Sequence, residues 1–179
     1  MISSQLFNFF KEEIIYSEKR QNIKIDKGIE LYLVKLMLDR VLESGDSKAY
    51  LVDIYQNSVS AKNKKEAFSS FKRLGDVSLF NGGYLYDNIY SKTDNLSYYI
   101  DMGQNGYHNA GRISNENIYF SLSDEYKKCL CILNFISENK KKHSKRDLQR
   151  LYQFYLDTSS PGNKEFLANL KMLTQEINE

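Results

Sequence analysis

Three side chains capable of acid–base chemistry lie in the middle of the chain: Asp76, Asp101 and His108. Two carboxylates can act as general acid and general base when their surroundings separate their pKa values. The sequence does not fix the distance between Asp76 and Asp101, so each carboxylate could equally accept hydrogen bonds from a neighbouring helix end. The residue pattern therefore favours a non-enzymatic protein, and we assign no catalytic residue.

Glycine and tyrosine are concentrated around these three residues. Six of the nine glycines and six of the fourteen tyrosines lie between residues 75 and 111, a region termed here the Gly/Tyr window. The glycines are Gly75, Gly82, Gly83, Gly103, Gly106 and Gly111, and the tyrosines are Tyr84, Tyr86, Tyr90, Tyr98, Tyr99 and Tyr107.

A glycine inside a helix is about 1 kcal/mol less favourable than alanine, so these positions need a reason. Gly75, Gly103 and Gly106 could let two helix axes approach closely, could leave room for a ligand or a partner side chain, or could have no such role. For Gly82 and Gly83 we predict a helix C-cap, because glycine adopts the left-handed backbone of that position without steric cost.

Two functional hypotheses fit the tyrosines. In the first, residues 75–107 are the contact region of a helical interaction or regulatory module that binds another protein, since aromatic anchors carry much of the energy of an interface. Tyr84, Tyr86 or Tyr90 would then lie in an exposed apolar patch. In the alternative, a small-molecule-binding protein or an enzyme, the inward-facing residues Tyr98, Tyr99, Tyr107 and Asp76 line a cavity of about 300 Å³ or more. Together, the candidate binding residues are Asp76, Tyr84, Tyr86, Tyr98, Tyr99, Asp101, Tyr107 and His108.

The order of residues in this window resembles a segment of a group of uncharacterised bacterial all-helical proteins. Leu74-Gly75-Asp76 corresponds to its Leu-Gly-Asp turn, and the stretch from Tyr98-Tyr99 to Met102-Gly103 corresponds to its Tyr-Tyr-x-x-Met-Gly segment. The resemblance covers about residues 70–110. It implies a helical fold and a bacterial source, and it implies no activity.

Other site chemistries lack their sequence signatures. The two histidines belong to no H-E-x-x-H or E-x-x-H pair, and neither glycine-rich phosphate motif occurs, so we expect no metal and no cofactor. Cys129 and Cys131 are spaced C-x-C, and on a helix they point about 200° apart, which excludes a mutual disulfide. They are typical of small buried residues in a reducing cytosol.

Charge and hydropathy limit the partners. The formal net charge of +2 is too small for a chain-wide attraction to nucleic acid or to an anionic membrane. Residues 140–150 form one basic block, which we interpret as a solvated connection between helices, with contact to nucleic acid or to an acidic protein as alternatives. No apolar run reaches the 18–20 or so residues of a membrane span, and acids occur too early for a Sec signal. We expect a cytoplasmic protein outside membranes.

Apolar residues recur every three to four positions along most of the chain, and no stretch alternates as a strand would. The pattern predicts an all-α fold, with about seven or eight helices in one bundle-like domain over residues 1–179. Asp26 and Ser144 are predicted helix N-caps, and two further N-caps are predicted at either Asn95 or Ser97 and at either Ser121 or Ser123. A helix C-cap is predicted at Gly45, and a last helix is predicted to begin near Pro161.

Overall fold

The structure of the protein is a computed structural model that describes residues 2–42, 50–91, 95–139, 141 and 144–158. These residues form nine helices and no strand, which confirms the all-α prediction. The helices are α1 (Ile2–Gln21), α2 (Lys27–Leu42), α3 (Leu51–Val59), α4 (Lys64–Gly83), α5 (Tyr86–Ser91), α6 (Leu96–Ser114), α7 (Asn117–Asp124), α8 (Tyr126–Glu138) and α9 (Lys145–Thr158). None of these helices is long and apolar enough to cross a membrane.

Only α5, with six residues, is shorter than two helical turns, so the count agrees with the predicted seven or eight helices. The predicted C-cap at Gly45 and the predicted helix after Pro161 lie outside the described residues. That residues 1–179 form one domain stays a prediction.

Three predicted N-caps are confirmed by side-chain hydrogen bonds. Asp26 Oδ1 accepts from the backbone N–H two residues on, at 2.7 Å, where α2 begins. Asn95 Oδ1 makes the same contact at 2.9 Å at the start of α6. Ser144 Oγ accepts from Asp147 N at 3.3 Å, and Asp147 Oδ2 accepts from Ser144 N at 2.8 Å, as in a capping box.

The predicted N-cap at Ser121 or Ser123 is wrong. Both residues lie inside α7, and α8 begins after Glu125, which has non-helical torsion angles (φ −94°, ψ 16°) and makes no side-chain cap. Ser123 Oγ donates to the Gln104 backbone oxygen at 3.0 Å, so its side chain binds α6 instead of a helix start. One apolar stretch is therefore two helices.

The helices α4 and α6 form the central pair of the fold and share the most extensive contact. Helices α3 and α8 pack on α4, and α7 packs on α6. A smaller core cluster of Leu51, Ile54, Leu74 and Val77 lies where α3 covers α4. The glycines of the Gly/Tyr window thus lie on the central pair α4 and α6, and α3 packs mainly on α4.

Two cations of the basic block form ion pairs with carboxylates of the same chain. Arg150 is only 3% exposed, and its guanidinium contacts Glu138 at 2.9 Å and Asp87 at 2.7 Å. Lys141 Nζ contacts the same two carboxylates, at 2.9 and 3.0 Å. These ion pairs join α5, α8 and α9, and they occupy charges that a nucleic acid would need. Lys140 and Lys142 lie outside the described residues.

Candidate functional site

Helices α4 and α6 are in direct backbone contact at Gly106. A Cβ atom added to Gly106 would lie 2.6 Å from Gly75 N and 2.8 Å from the Phe71 carbonyl oxygen. Both distances are well below van der Waals contact, and the atoms met are backbone atoms that cannot rotate away. Of the explanations open for this glycine, close approach of two helices is the one that the geometry shows.

Tyrosine rings of the same chain fill the space beside Gly75 and Gly103. A Cβ added to Gly75 would lie 2.6 Å from two ring carbons of Tyr107, and one added to Gly103 would overlap the Tyr126 hydroxyl. Tyr107 and Tyr126 are both completely buried. The room that these glycines leave is therefore taken by internal side chains, and no space for a ligand remains beside them.

The predicted C-cap at Gly82 and Gly83 is wrong. Both residues belong to the last turn of α4, and no described glycine has a positive φ. Tyr84 then continues with helical torsion angles (φ −71°, ψ −36°). A Cβ added to Gly83 would lie 2.8 Å from Leu133 Cβ, so this glycine lets α8 approach. Asn134 Nδ2 donates to the Gly83 carbonyl at 3.3 Å and satisfies one acceptor of the helix end.

Asp76 lies at the centre of a hydrogen-bond cluster that joins three helices. Its Oδ1 accepts from Tyr32 Oη of α2 at 2.6 Å and from Tyr107 Oη of α6 at 2.9 Å. Its Oδ2 contacts Lys72 Nζ at 2.6 Å. Burial, and then the charge of Asp76, raises the pKa of both tyrosine hydroxyls, so they remain protonated donors. Both carboxylate oxygens of Asp76 are thus engaged, and their contacts hold α2, α4 and α6 together.

The tyrosines that follow α4 do not form the predicted exposed patch. Tyr86 is 3% exposed and packs on Phe154, with ring centroids 4.8 Å apart. Tyr84 is half-buried and stacks on Phe80 at 5.2 Å, and Tyr90 is half-buried beside Tyr86. The prediction that Tyr84, Tyr86 or Tyr90 lies in an exposed apolar patch is therefore wrong, because core packing uses these rings.

The candidate residues of α6 point in different directions. Tyr98, Asp101 and His108 are exposed, whereas Tyr107 is buried and Tyr99 is half-buried. The predicted inward orientation of Tyr98 is wrong, since it is 38% exposed. Helical periodicity explains the split, because positions three, four and seven residues apart share a face. Asp101 faces solvent while Asp76 faces the core, so the structure does not assemble the suggested acid–base pair.

Buried tyrosines make the protein sensitive to alkali. Burial is the main cause of a raised pKa at Tyr32, Tyr86, Tyr107, Tyr119, Tyr126 and Tyr155. In the unfolded chain a tyrosine ionises near pH 10. The stability that the buried, protonated tyrosines contribute is therefore fully present below about pH 10. It is lost as the pH rises further, because only the unfolded state then releases the hydroxyl protons of these tyrosines.

We accordingly expect the free energy of unfolding to fall above about pH 10. Urea unfolding across alkaline pH measures it, together with the near-ultraviolet absorbance of tyrosinate. The buried rings should ionise only as the helical circular dichroism signal is lost, and their ionisation in a fully helical protein would contradict the assignment.

Comparison with known proteins gives no assignment: no protein-family model, curated protein or solved structure matches this chain. The resemblance of residues 70–110 to bacterial helical proteins therefore stays a prediction. Function has to be inferred from the chain's own residues, and the surface of α3 offers the strongest feature.

Helix α3 carries an apolar stripe on its outer side, formed by Val52, Tyr55 and Val59. These three residues are 46%, 37% and 64% exposed, and their i, i+3, i+7 spacing places them on one side of the helix. Leu51 and Ile54, on the adjacent side, are buried against α4. At 100° per residue the apolar sector of α3 is about 160° wide, and α4 covers only one half of it.

The α3 stripe was not predicted from the sequence, although its signal was present. Five of the nine residues of α3 are large and apolar, which is more than one buried side of so short a helix needs. Periodicity alone does not say which part of a wide apolar sector is covered.

Three lysines lie just beyond the C-terminal end of the α3 stripe: Lys62, Lys64 and Lys65, all exposed. None of them forms an ion pair with a residue that the structure describes. The neighbouring acid, Glu66, is already held, because its Oε2 accepts from the Lys62 backbone N–H at 3.2 Å. The α3 stripe is thus apolar along its length and positively charged at one end.

Proposed function

We propose that this protein is a non-enzymatic helical interaction module that binds another protein through the α3 stripe. The observation that carries the proposal is the exposure of three apolar side chains on one side of a helix that rests on α4 and α6. Clustered exposed apolar side chains beside charged ones are typical of protein-binding surfaces. Of the tyrosines of residues 75–107, only Tyr98 is exposed, so we place the contact on α3.

The occupant is an amphipathic helical segment that also carries acidic residues. Its apolar side would lie along Val52, Tyr55 and Val59, in the manner of a helix docking on a hydrophobic surface. Its acidic residues would reach the exposed lysines at positions 62, 64 and 65, which give the complex its orientation. Charge complementarity thus selects an acidic partner over a basic one.

The alternative, a small-molecule-binding protein or an enzyme that uses the Gly/Tyr window, has less support. Both oxygens of Asp76 already have partners, and tyrosine rings fill the space beside Gly75 and Gly103. We further propose a bacterial source, on the resemblance of residues 70–110, and a cytoplasmic location, which suits the buried free thiols of Cys129 and Cys131.

Selection of helical peptides from a displayed random library on the wild-type protein tests the proposal. We expect enriched peptides to combine acidic residues with apolar residues at i, i+3 or i+4, and i+7. The double variant Tyr55→Ser, Val59→Ser should bind them at least about tenfold more weakly, because it removes two apolar anchors. The matched control, Asp53→Ser with Asn57→Ser, changes two exposed positions on the opposite side of the same helix and should bind normally.

Three outcomes would contradict the proposal. Equal binding of the selected peptides by the two double variants would show that the peptides do not contact the α3 stripe. Enrichment of peptides without acidic residues would show that the lysines do not contribute to recognition. Self-association of the wild type in sedimentation equilibrium, abolished by Tyr55→Ser with Val59→Ser, would assign the stripe to a second copy of the chain.

A further inference from the structure

A cavity of about 170 Å³ lies between α1 and α2, on different elements from the α3 stripe. Its apolar walls are Phe7 and Ile14 of α1 and Leu31 and Val34 of α2. Apolar cavities of about 150 Å³ admit a molecule the size of benzene. The cavity is therefore large enough for a small organic molecule.

Glu30 brings a buried carboxylate to the wall of this cavity. The residue is 7% exposed, and its Oε1 contacts Lys27 Nζ at 2.5 Å. The side chain of Lys27, by contrast, is 83% exposed. Because the Lys27 ammonium group lies at the surface, it can turn to solvent when another cation takes its place at the Glu30 carboxylate.

Two further acids lie near Glu30 and Lys27, outside the lining of the cavity. Glu18 lies beside Glu30, and burial followed by the neighbouring charge raises the pKa of its carboxyl group. The hydrogen bond to Glu30 is the main cause of the raised pKa of Lys27, and the charges of Glu18 and Asp26 add to it. Three carboxyl groups thus favour a positive charge at the position of the Lys27 ammonium group.

We propose that the cavity between α1 and α2 binds a small organic cation, an amine or guanidine with an apolar body about the size of a benzene ring. The cationic group takes the place of Lys27 Nζ at the Glu30 carboxylate. The apolar body contacts the Phe7, Ile14, Leu31 and Val34 side chains. Lys11, which is exposed and also lines the cavity, disfavours a second positive charge and so selects a monoamine over a diamine.

An organic cation fits this cavity better than a metal ion. Among the residues that the structure describes, no three or more acidic, histidine or cysteine side chains are arranged to hold a metal. Most of the cavity lining is apolar, which a hydrated metal ion cannot use. A charge-assisted hydrogen bond to the buried Glu30 carboxylate, combined with apolar contact, uses both halves of the site.

Titration of the full chain with benzylamine, followed by backbone amide chemical shifts, tests the proposal. We expect saturable shifts confined to α1 and α2, with benzyl alcohol and benzoate each binding at least about tenfold more weakly. Glu30→Gln should weaken benzylamine binding about tenfold or more, and Leu31→Ala should weaken benzylamine and benzyl alcohol together. Glu12→Gln, at an exposed position of α1 outside the lining, is the matched control and should bind as the wild type does.

Each other result overturns the proposal. Equal binding of benzyl alcohol and benzylamine would show an apolar cavity without charge recognition, and tighter binding of benzoate would show an anion site at Lys11 and Lys27. Absence of saturable shifts with benzylamine would remove the site altogether. If Glu30→Gln unfolds, the three-ligand comparison on the wild type and the exposed Leu31→Ala variant still decide. The Tyr55→Ser, Val59→Ser variant should bind benzylamine normally, which separates this proposal from the one for α3.

Discussion

Replacement of Gly106 by alanine should lower the free energy of unfolding by about 2 kcal/mol, although alanine is the better helix former. The new methyl group would lie 2.6 Å from Gly75 N and 2.8 Å from the Phe71 carbonyl oxygen, so α4 and α6 would have to move apart. Such overpacking costs about 3 kcal/mol, and more where backbone has to shift. The gain in helix propensity offsets only about 1 kcal/mol of this cost.

Gly82→Ala is the matched control for this experiment, since both glycines are buried in long helices. The nearest atom to a Cβ added at Gly82 is Leu130 Cδ2, a terminal methyl carbon 3.1 Å away that can rotate aside. We expect the gain in propensity to offset the small contact cost, which leaves stability within about 0.5 kcal/mol of the wild type. Urea unfolding followed by circular dichroism measures both variants. Equal stability of the two would show that the helices do not touch at Gly106.

The contrast between these two glycines shows what the sequence could and could not predict. The high density of glycines marked residues 75–111 as unusual, because a glycine inside a helix needs a compensating reason. Which reason applies depends on the neighbour across the helix interface, and that neighbour is set by the packing of α6 and α8 on α4. The C-cap predicted at Gly82 and Gly83 is wrong, because these glycines let α8 pack against the last turn of α4.

Local signals were more reliable than long-range ones. Asp26, Asn95 and Ser144 cap helices as predicted, because a cap depends only on residues two or three positions away. The orientation of Tyr98 and the burial of Tyr86 were not predictable in this way. A tyrosine suits a core, a pocket or an interface equally well, and its neighbours in the fold decide among them.

The α3 stripe shows the same limit of prediction from the sequence, here for exposed residues. The sequence of α3 gives the width of its apolar sector, but only the position of α4 shows that Leu51 and Ile54 are covered and that Val52 and Val59 are not. A buried carboxylate is equally hard to predict, because Asp76 gains its partners from α2 and α6, 44 and 31 positions away in the chain.

Asp76→Ala should lower the free energy of unfolding by about 4 kcal/mol, the largest effect that we expect of a single substitution. Tyr32 and Tyr107 would both lose their acceptor, and a hydroxyl left unsatisfied in the interior costs about 1–3 kcal/mol. Loss of the contact with Lys72 adds little, because the lysine side chain is 37% exposed and can turn to solvent. Urea unfolding measures the change.

Removal of the unsatisfied hydroxyls of Tyr32 and Tyr107 should then restore part of the stability. In the triple variant Asp76→Ala, Tyr32→Phe, Tyr107→Phe the two rings no longer carry hydroxyls that lack an acceptor, so it should be more stable than Asp76→Ala alone by about 2 kcal/mol. In the wild-type background the same two tyrosine substitutions should destabilise, because the carboxylate would lose its donors. A shift in the same direction in both backgrounds would show that the Asp76 cluster does not hold α2, α4 and α6 together. Opposite signs in the two backgrounds are expected only of groups that depend on one another for their hydrogen bonds.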